Sequence, residues 1–154
     1  MPSILANIDF AVTPLNTAEV DVTGMKFIQA IVDRVVHAAS VIRVLQFSVN
    51  GGASWFGTAG DYIDVPSNGT PGNLAAMGFH FTASLGPNSG SMSIWQPGGS
   101  ILPQIYSQAN SDIYMFAGSA LPINRIRLMG GSVSVGTPTA GNMTSGRFQV
   151  WGER

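Results

Sequence analysis

Apolar and polar residues alternate in short runs along most of this chain, the two-residue period of strands buried on one face. Ile8, Phe10 and Val12 alternate with Asp9 and Ala11 before Pro14 breaks the run. Residues 1–23 therefore read as a first strand or as an arm reaching a neighbour, followed at Asp21-Val22-Thr23-Gly24 by a turn. The next segment carries two signals. Polar positions 26, 29, 33, 37 and 40 recur near a helical period, whereas Ile28, Ile31, Val32, Val35 and Val36 are all β-branched and favour a strand. The β-branched density predicts a long strand over Lys26–His37, with an amphipathic helix as the alternative.

Further strands are predicted at Val41–Val49, Tyr62–Val65, Ala76–Ser84, Ser91–Trp95, Gln104–Gln108, Ile113–Phe116, Ile123–Met129, Ser132–Val135 and Gly146–Trp151. Between them lie Asn50-Gly51-Gly52, Ser67-Asn68-Gly69, Gly86-Pro87-Asn88, Pro97-Gly98-Gly99 and Gly130-Gly131, whose glycines supply positive φ and whose prolines preset it. Many short strands joined by such turns predict an all-β fold, an antiparallel sandwich or barrel, as a single domain over 24–154.

Composition sharpens this picture. Hydrophobic residues make 45% of the 154, which excludes a disordered tail. Charged residues make only 10%, against about 25% in an average soluble domain. The net charge of −1 leaves no electrostatic footprint for nucleic acid. No run of about 18 apolar residues is present to span a membrane. With no cysteine, there is no disulfide framework, thiolate metal site or thiol nucleophile. The N-terminus Met1-Pro2-Ser3-Ile4-Leu5 lacks a signal peptide's basic and apolar regions, so synthesis in a cytoplasm without export is expected. Lys26 is the sole lysine. β-Proteins usually guard sheet edges with lysine, and near-neutral surfaces associate, so edges and apolar patches covered by neighbouring subunits are expected.

Catalytic constellations are missing from the sequence. His37 and His80 sit in unrelated segments without zinc-ligand spacing, and His80 reads as a strand residue between Phe79 and Phe81. There is no Gly-x-Ser-x-Gly elbow, phosphate loop or dinucleotide fingerprint. The two glutamates, Glu19 and Glu153, lie near the chain ends. No cofactor is implied. Asp61 and Asp64, with Asn50 or Asn68 nearby, are the only candidates for a calcium site, and two carboxylates are few for one.

Arg125 and Arg127 are two apart and share a strand face, which Arg147 joins if its strand pairs nearby; the three would suit a carboxylate-bearing partner or an anionic glycan. Trp95, Tyr62, Trp55, Tyr106 and Tyr114 are candidates for stacking on sugar rings, each with an apolar face and a polar tip. Trp95 leads them because Gln96-Pro97-Gly98-Gly99 places it at a loop mouth.

Ser48-Val49-Asn50-Gly51-Gly52-Ala53-Ser54-Trp55 resembles the Asp-box of sialidase-type propellers, with Asn50 in place of Asp and Ser54 in place of Thr. A propeller needs several copies and this chain has one. The stretch reads instead as a hairpin turn with Trp55 packing back over it.

A wider stretch, Asp21-Val22-Thr23-Gly24, a β-branched strand, then Arg43-Val44-Leu45-Gln46-Phe47-Ser48-Val49-Asn50-Gly51-Gly52-Ala53-Ser54-Trp55, resembles bacteriophage virion proteins. Ile123-Asn124-Arg125-Ile126-Arg127-Leu128, a Gly-rich hairpin and Thr144-Ser145-Gly146-Arg147-Phe148-Gln149-Val150-Trp151-Gly152 are similar to the closing strands of phage jelly-roll domains. These stretches cover about half the chain; residues between Gly57 and Leu121 carry none of the likeness. The resemblance implies a jelly-roll-like β-sandwich on the virion surface, as head decoration or tail or fibre component. Its expected partners are copies of itself and other virion proteins. The alternative is a carbohydrate-binding module for a host-surface glycan, with Trp95 and Tyr62 stacking on sugars.

Overall fold

The structure, a computed structural model, describes residues 1–65, 72–79, 83–96, 102–108 and 112–154. These hold strands β1 (Ser3–Asp9), β2 (Thr17–Asp21), β3 (Phe27–His37), β4 (Ile42–Ser48), β5 (Tyr62–Val65) and β6 (Gly72–Leu74). They continue with β7 (Met77–Gly78), β8 (Asn88–Trp95), β9 (Gln104–Ser107), β10 (Asp112–Phe116), β11 (Arg125–Gly131) and β12 (Met143–Glu153). Eight strands form nested antiparallel couples: β1 with β12, β2 with β11, β3 with β8 and β4 with β7. The couples alternate between layers, giving β1-β12-β3-β8 in one sheet and β2-β11-β4-β7 in the other. That is the strand order of a jelly roll, a long antiparallel ribbon folded into two packed sheets.

Two excursions enlarge the first sheet. β5 and β6 leave the ribbon between β4 and β7, and β9 and β10 leave it between β8 and β11. They pair with one another and extend the sheet to eight strands, β1-β12-β3-β8-β9-β10-β5-β6. All the added strands fall in the stretch that carried no resemblance.

The core lies between the sheets. Ile28, Ala30 and Val32 of β3, Met92 and Ile94 of β8, and Tyr114 and Phe116 of β10 point inward and are buried. Ala18, Val20, Leu45, Phe47, Ile126 and Leu128 meet them from the smaller sheet. Phe116 packs edge-on against Phe47 and Phe56, with ring centroids 5.3 and 4.9 Å apart. Each such buried side chain contributes about 1.5–3 kcal/mol, so this cluster fastens the added strands to the ribbon.

The segment with two signals is a strand. Its phase slips where β3 leaves register with β8 between Val32 and Val35, and Arg34 takes φ 53°. Residues 28, 30 and 32 are buried before this bulge and 35 and 37 after it, which is why the polar positions mimicked a helical spacing.

Other expectations are corrected. Of the two expectations for residues 1–23 the first strand stands and the arm does not: β1 lies in one sheet and β2 in the other, so the sandwich includes them. Gly130 and Gly131 make no turn: they pair in β11 with Arg43 and Ile42, and a Cβ on Gly130 would collide with the His37 ring. Ser132–Val135 is a tight loop closed by a bridge between its own ends rather than a strand. Of Ala76–Ser84 only Met77–Gly78 is a strand among the described residues, with Ser84 bridging to Val41. The expected turns at 67–69 and 97–99, and His80, lie outside the described residues.

Candidate functional site

Side chains on alternate positions of the large sheet face away from the core. Cross-strand register aligns them in two adjacent rows. One runs Gln29, Ser93, Tyr106, Ile113, Val65; the other runs Phe27, Trp95, Gln104, Met115, Ile63. From β3 to β5 neither row contains a charged residue; on β12 the first continues to Trp151, opposite Gln29, and the second to Glu153, opposite Phe27. Trp95 is 52%, Tyr106 46% and Ile113 50% exposed, high values for large apolar side chains in the middle of a sheet. With Phe27, Ser93 and Gln104 they line a shallow groove of about 230 Å3. It lies across the seam between ribbon strands β3 and β8 and added strands β9 and β10. The structure thus unites two predicted aromatics, Trp95 and Tyr106.

A second open groove of about 570 Å3 adjoins it on the same face, lined by Gln29, Ser91, Gln108, Gln149 and the carboxylate-bearing Asp33 among others. Gln29 is the cross-strand neighbour of Ser93, so the two grooves are neighbours on the sheet. Here the Ser91 hydroxyl donates to Gln108 Oε1 at 2.6 Å.

The other aromatic candidates are not on this face. Tyr62 and Tyr114 are fully buried. Tyr62 occupies an inward position of β5, and burial pushes its phenol pKa up. It is therefore a core residue, not a sugar-stacking one. Trp55 lies on the smaller sheet's outer side with the Arg127 guanidinium 4.6 Å from its ring centroid, so one ring face is taken.

Arg125 and Arg127 do share a face of β11, opposite Asp21 and Glu19 on β2. Arg125 approaches Asp21 at 3.6 Å, and Arg127 donates to Gln46 Oε1 at 3.0 and 2.7 Å. Hydrogen bonds from the Thr23 backbone and hydroxyl hold the Asp21 carboxyl below its usual pKa, with help from Arg125. Burial lowers the Arg127 pKa, opposed by Glu19. Arg147 does not join them. It sits on β12 in the other sheet, 3.5 Å from Asp9. The expected three-arginine patch therefore does not form, and acidic neighbours answer each of these cations.

The Asp61 carboxylate accepts the Thr58 N–H at 2.7 Å within its own turn, whereas Asp64 lies partly buried on β5. Asn68 is outside the described residues. Among the described residues no group of three or more His, Asp and Glu is gathered to hold a metal ion. The Asn50 carboxamide is committed to the hairpin: Oδ1 accepts the Ser54 N–H at 3.0 Å and Nδ2 donates to Ser54 Oγ at 2.7 Å. Gly51 and Gly52 take φ 73° and 91°, and Trp55 packs back toward Gly52. The Asp-box-like stretch thus builds a turn.

Sequence reasoning missed Phe27, Gln29, Gln104 and Ile113 as members of the face. The signal was present in the alternation within each strand, but which strands adjoin depends on long-range pairing. It also missed Arg43, fully buried in β4 with its guanidinium donating to the carbonyls of Val41, Ser84 and Gly86 at 2.6, 2.9 and 3.1 Å. No protein-family model matches the chain, and no curated protein matches it either.

Proposed function

We propose that this chain is a non-enzymatic structural protein of a bacteriophage virion surface, assembling with copies of itself and other virion proteins through uncharged surfaces of its β-sandwich. The resemblance of residues 21–55 and 123–152 to phage virion and jelly-roll proteins gives the setting. One observation carries the assembly. Four strands edge the two sheets. β6 and β7 are only three and two residues long, and β2 carries Glu19 and Asp21. β1 is seven residues long with no charge before Asp9, and the sole lysine lies elsewhere, beside β3. Its guards are an irregularity between Ile4 and Ala6 and the terminal Asp9, which faces Arg147. Such an edge is a template for pairing with another chain.

Light scattering across a concentration series tests this. The expected result is a defined oligomer that shifts toward monomer in Ile4→Lys, which places a charge on the edge at a 49%-exposed side chain. A wild-type monomer at all concentrations would overturn the reading.

A second reading, a carbohydrate-binding module recognising a host-surface glycan, is favoured by the convergence of Trp95 and Tyr106 on one groove. The two readings use different surfaces, an edge and a face.

A further inference from the structure

We infer that the outer face of the large sheet is a binding site for a neutral, linear oligosaccharide, with one pyranose ring stacked at Trp95 and Tyr106 and the next over the amide-lined groove at Gln29 and Gln108. The inference rests on the carbohydrate-binding reading and adds its site and ligand class.

Four observations meet here. First, the aromatic groove offers ring faces that core packing leaves bare. Trp95 and Tyr106 occupy diagonal positions on paired strands, because Trp95 is opposite Gln104 and Tyr106 is two residues on. Diagonal neighbours lie about 7–8 Å apart, close enough for both to touch one sugar ring. Second, its size is small: about 230 Å3 is below the roughly 300 Å3 at which pockets for drug-sized ligands begin. Third, the polar groups that share the face are amides and hydroxyls, apart from the Asp33 carboxylate that lines the adjoining groove. Gln104 and Ser93 border the aromatic groove, and Gln29, Gln108 and Ser91 follow in the adjoining one. Such groups both donate and accept, as sugar hydroxyls do. Fourth, no cation stands in either row, and the carboxylates beside them, Asp33 and Glu153, would repel a sialic, uronic or sulfated sugar.

A protein partner fits less well. The amide groove would bury Gln29, Gln108 and Gln149, which need hydrogen-bond partners at every position of a dry interface. A solvated glycan leaves them half in water.

The platform is also rigid. Its side chains stand on hydrogen-bonded strands, so little ordering opposes binding. An open groove nevertheless buries only part of its ligand, and dissociation constants of about 0.1–1 mM are expected.

The experiment is a glycan array carrying neutral hexose and N-acetylhexosamine oligomers beside sialylated and sulfated ones, followed by titration calorimetry with the best neutral oligomer. Wild-type protein, Trp95→Ala, Tyr106→Ala and Gln29→Ala are compared, each with its native mass and denaturation midpoint. Both aromatics are half exposed, so their removal spares the core. The expected result is binding to neutral oligomers alone. Trp95→Ala weakens it by at least about tenfold, and Gln29→Ala weakens longer oligomers more than a single sugar. Wild-type binding that all three variants retain would overturn this site while leaving the carbohydrate reading standing. No glycan binding by the wild type would overturn both. A preference for anionic glycans, or a fall in native mass in Trp95→Ala without glycan binding, would overturn the inference, the latter marking the groove as a contact between copies.

Discussion

The Tyr62 hydroxyl oxygen accepts the Phe47 N–H at 2.7 Å and donates to the Phe56 carbonyl at 3.2 Å, tying added strand β5 to ribbon strand β4 across the sandwich. The rings themselves meet edge to face at 5.6 Å. In Tyr62→Phe the ring remains but a buried N–H loses its acceptor, a loss of about 1–3 kcal/mol. Chemical denaturation should show this as a lower midpoint with an unchanged slope. An unchanged midpoint would mean that the hydroxyl does not hold the excursion in place.

Paired bulges give a prediction of opposite signs. Arg34 on β3 and Gly146 on β12 both have positive φ, 53° and 84°, and a Cβ on Gly146 would strike the Arg34 carbonyl oxygen. Gly146→Ala therefore meets backbone strain and a clash together and should lose about 2 kcal/mol or more. Arg34→Gly relieves strain at an exposed position and should be neutral or stabilising by up to about 1 kcal/mol. Thermal denaturation of the two variants reads both signs, and a destabilised Arg34→Gly would show that this side chain contributes more than its conformation costs.

Most of the ribbon was legible in the sequence because its strands alternate cleanly and its turns carry glycine. Reading β3 as a strand depended on Ile28, Val32 and Val35, and the bulge at Asp33–Arg34 explains the competing helical spacing. Gly130 and Gly131 misled because glycine in a strand marks close packing as well as a turn, here against His37 and Val41. Tyr62 and Trp95 are both aromatics beside turn residues. Their opposite fates, core and surface, follow from strand phase and pairing, which local sequence does not encode. The aromatic face itself depends on β8, β9 and β10 being neighbours and was invisible before pairing.

His37 makes stability depend on pH. It is buried at the end of β3, and Nδ1 accepts the Ala39 N–H at 3.0 Å. Desolvation lowers its pKa below the ordinary 6.5, Arg43 adds to this, and backbone contacts at Ala39 and Gly141 oppose it. The fold therefore prefers the neutral ring, and the unfolded chain takes up the proton first as pH falls. This contribution is complete above pH 6.5 and declines as pH drops from there toward the lowered folded value. Denaturation midpoints between pH 7 and pH 5 should fall, and His37→Gln should flatten that part of the slope. An equal slope in the variant would place the dependence on other groups.

Amide hydrogen exchange at low and high protein concentration tests assembly through the β1 edge most directly. If copies pair there, amides of Ser3–Asp9 that point away from β12 exchange quickly when dilute and become protected as the oligomer forms, and Ile4→Lys abolishes that gain. Exchange along β1 that stays fast at every concentration, while native mass rises, would contradict the account and place the contact elsewhere on the sandwich.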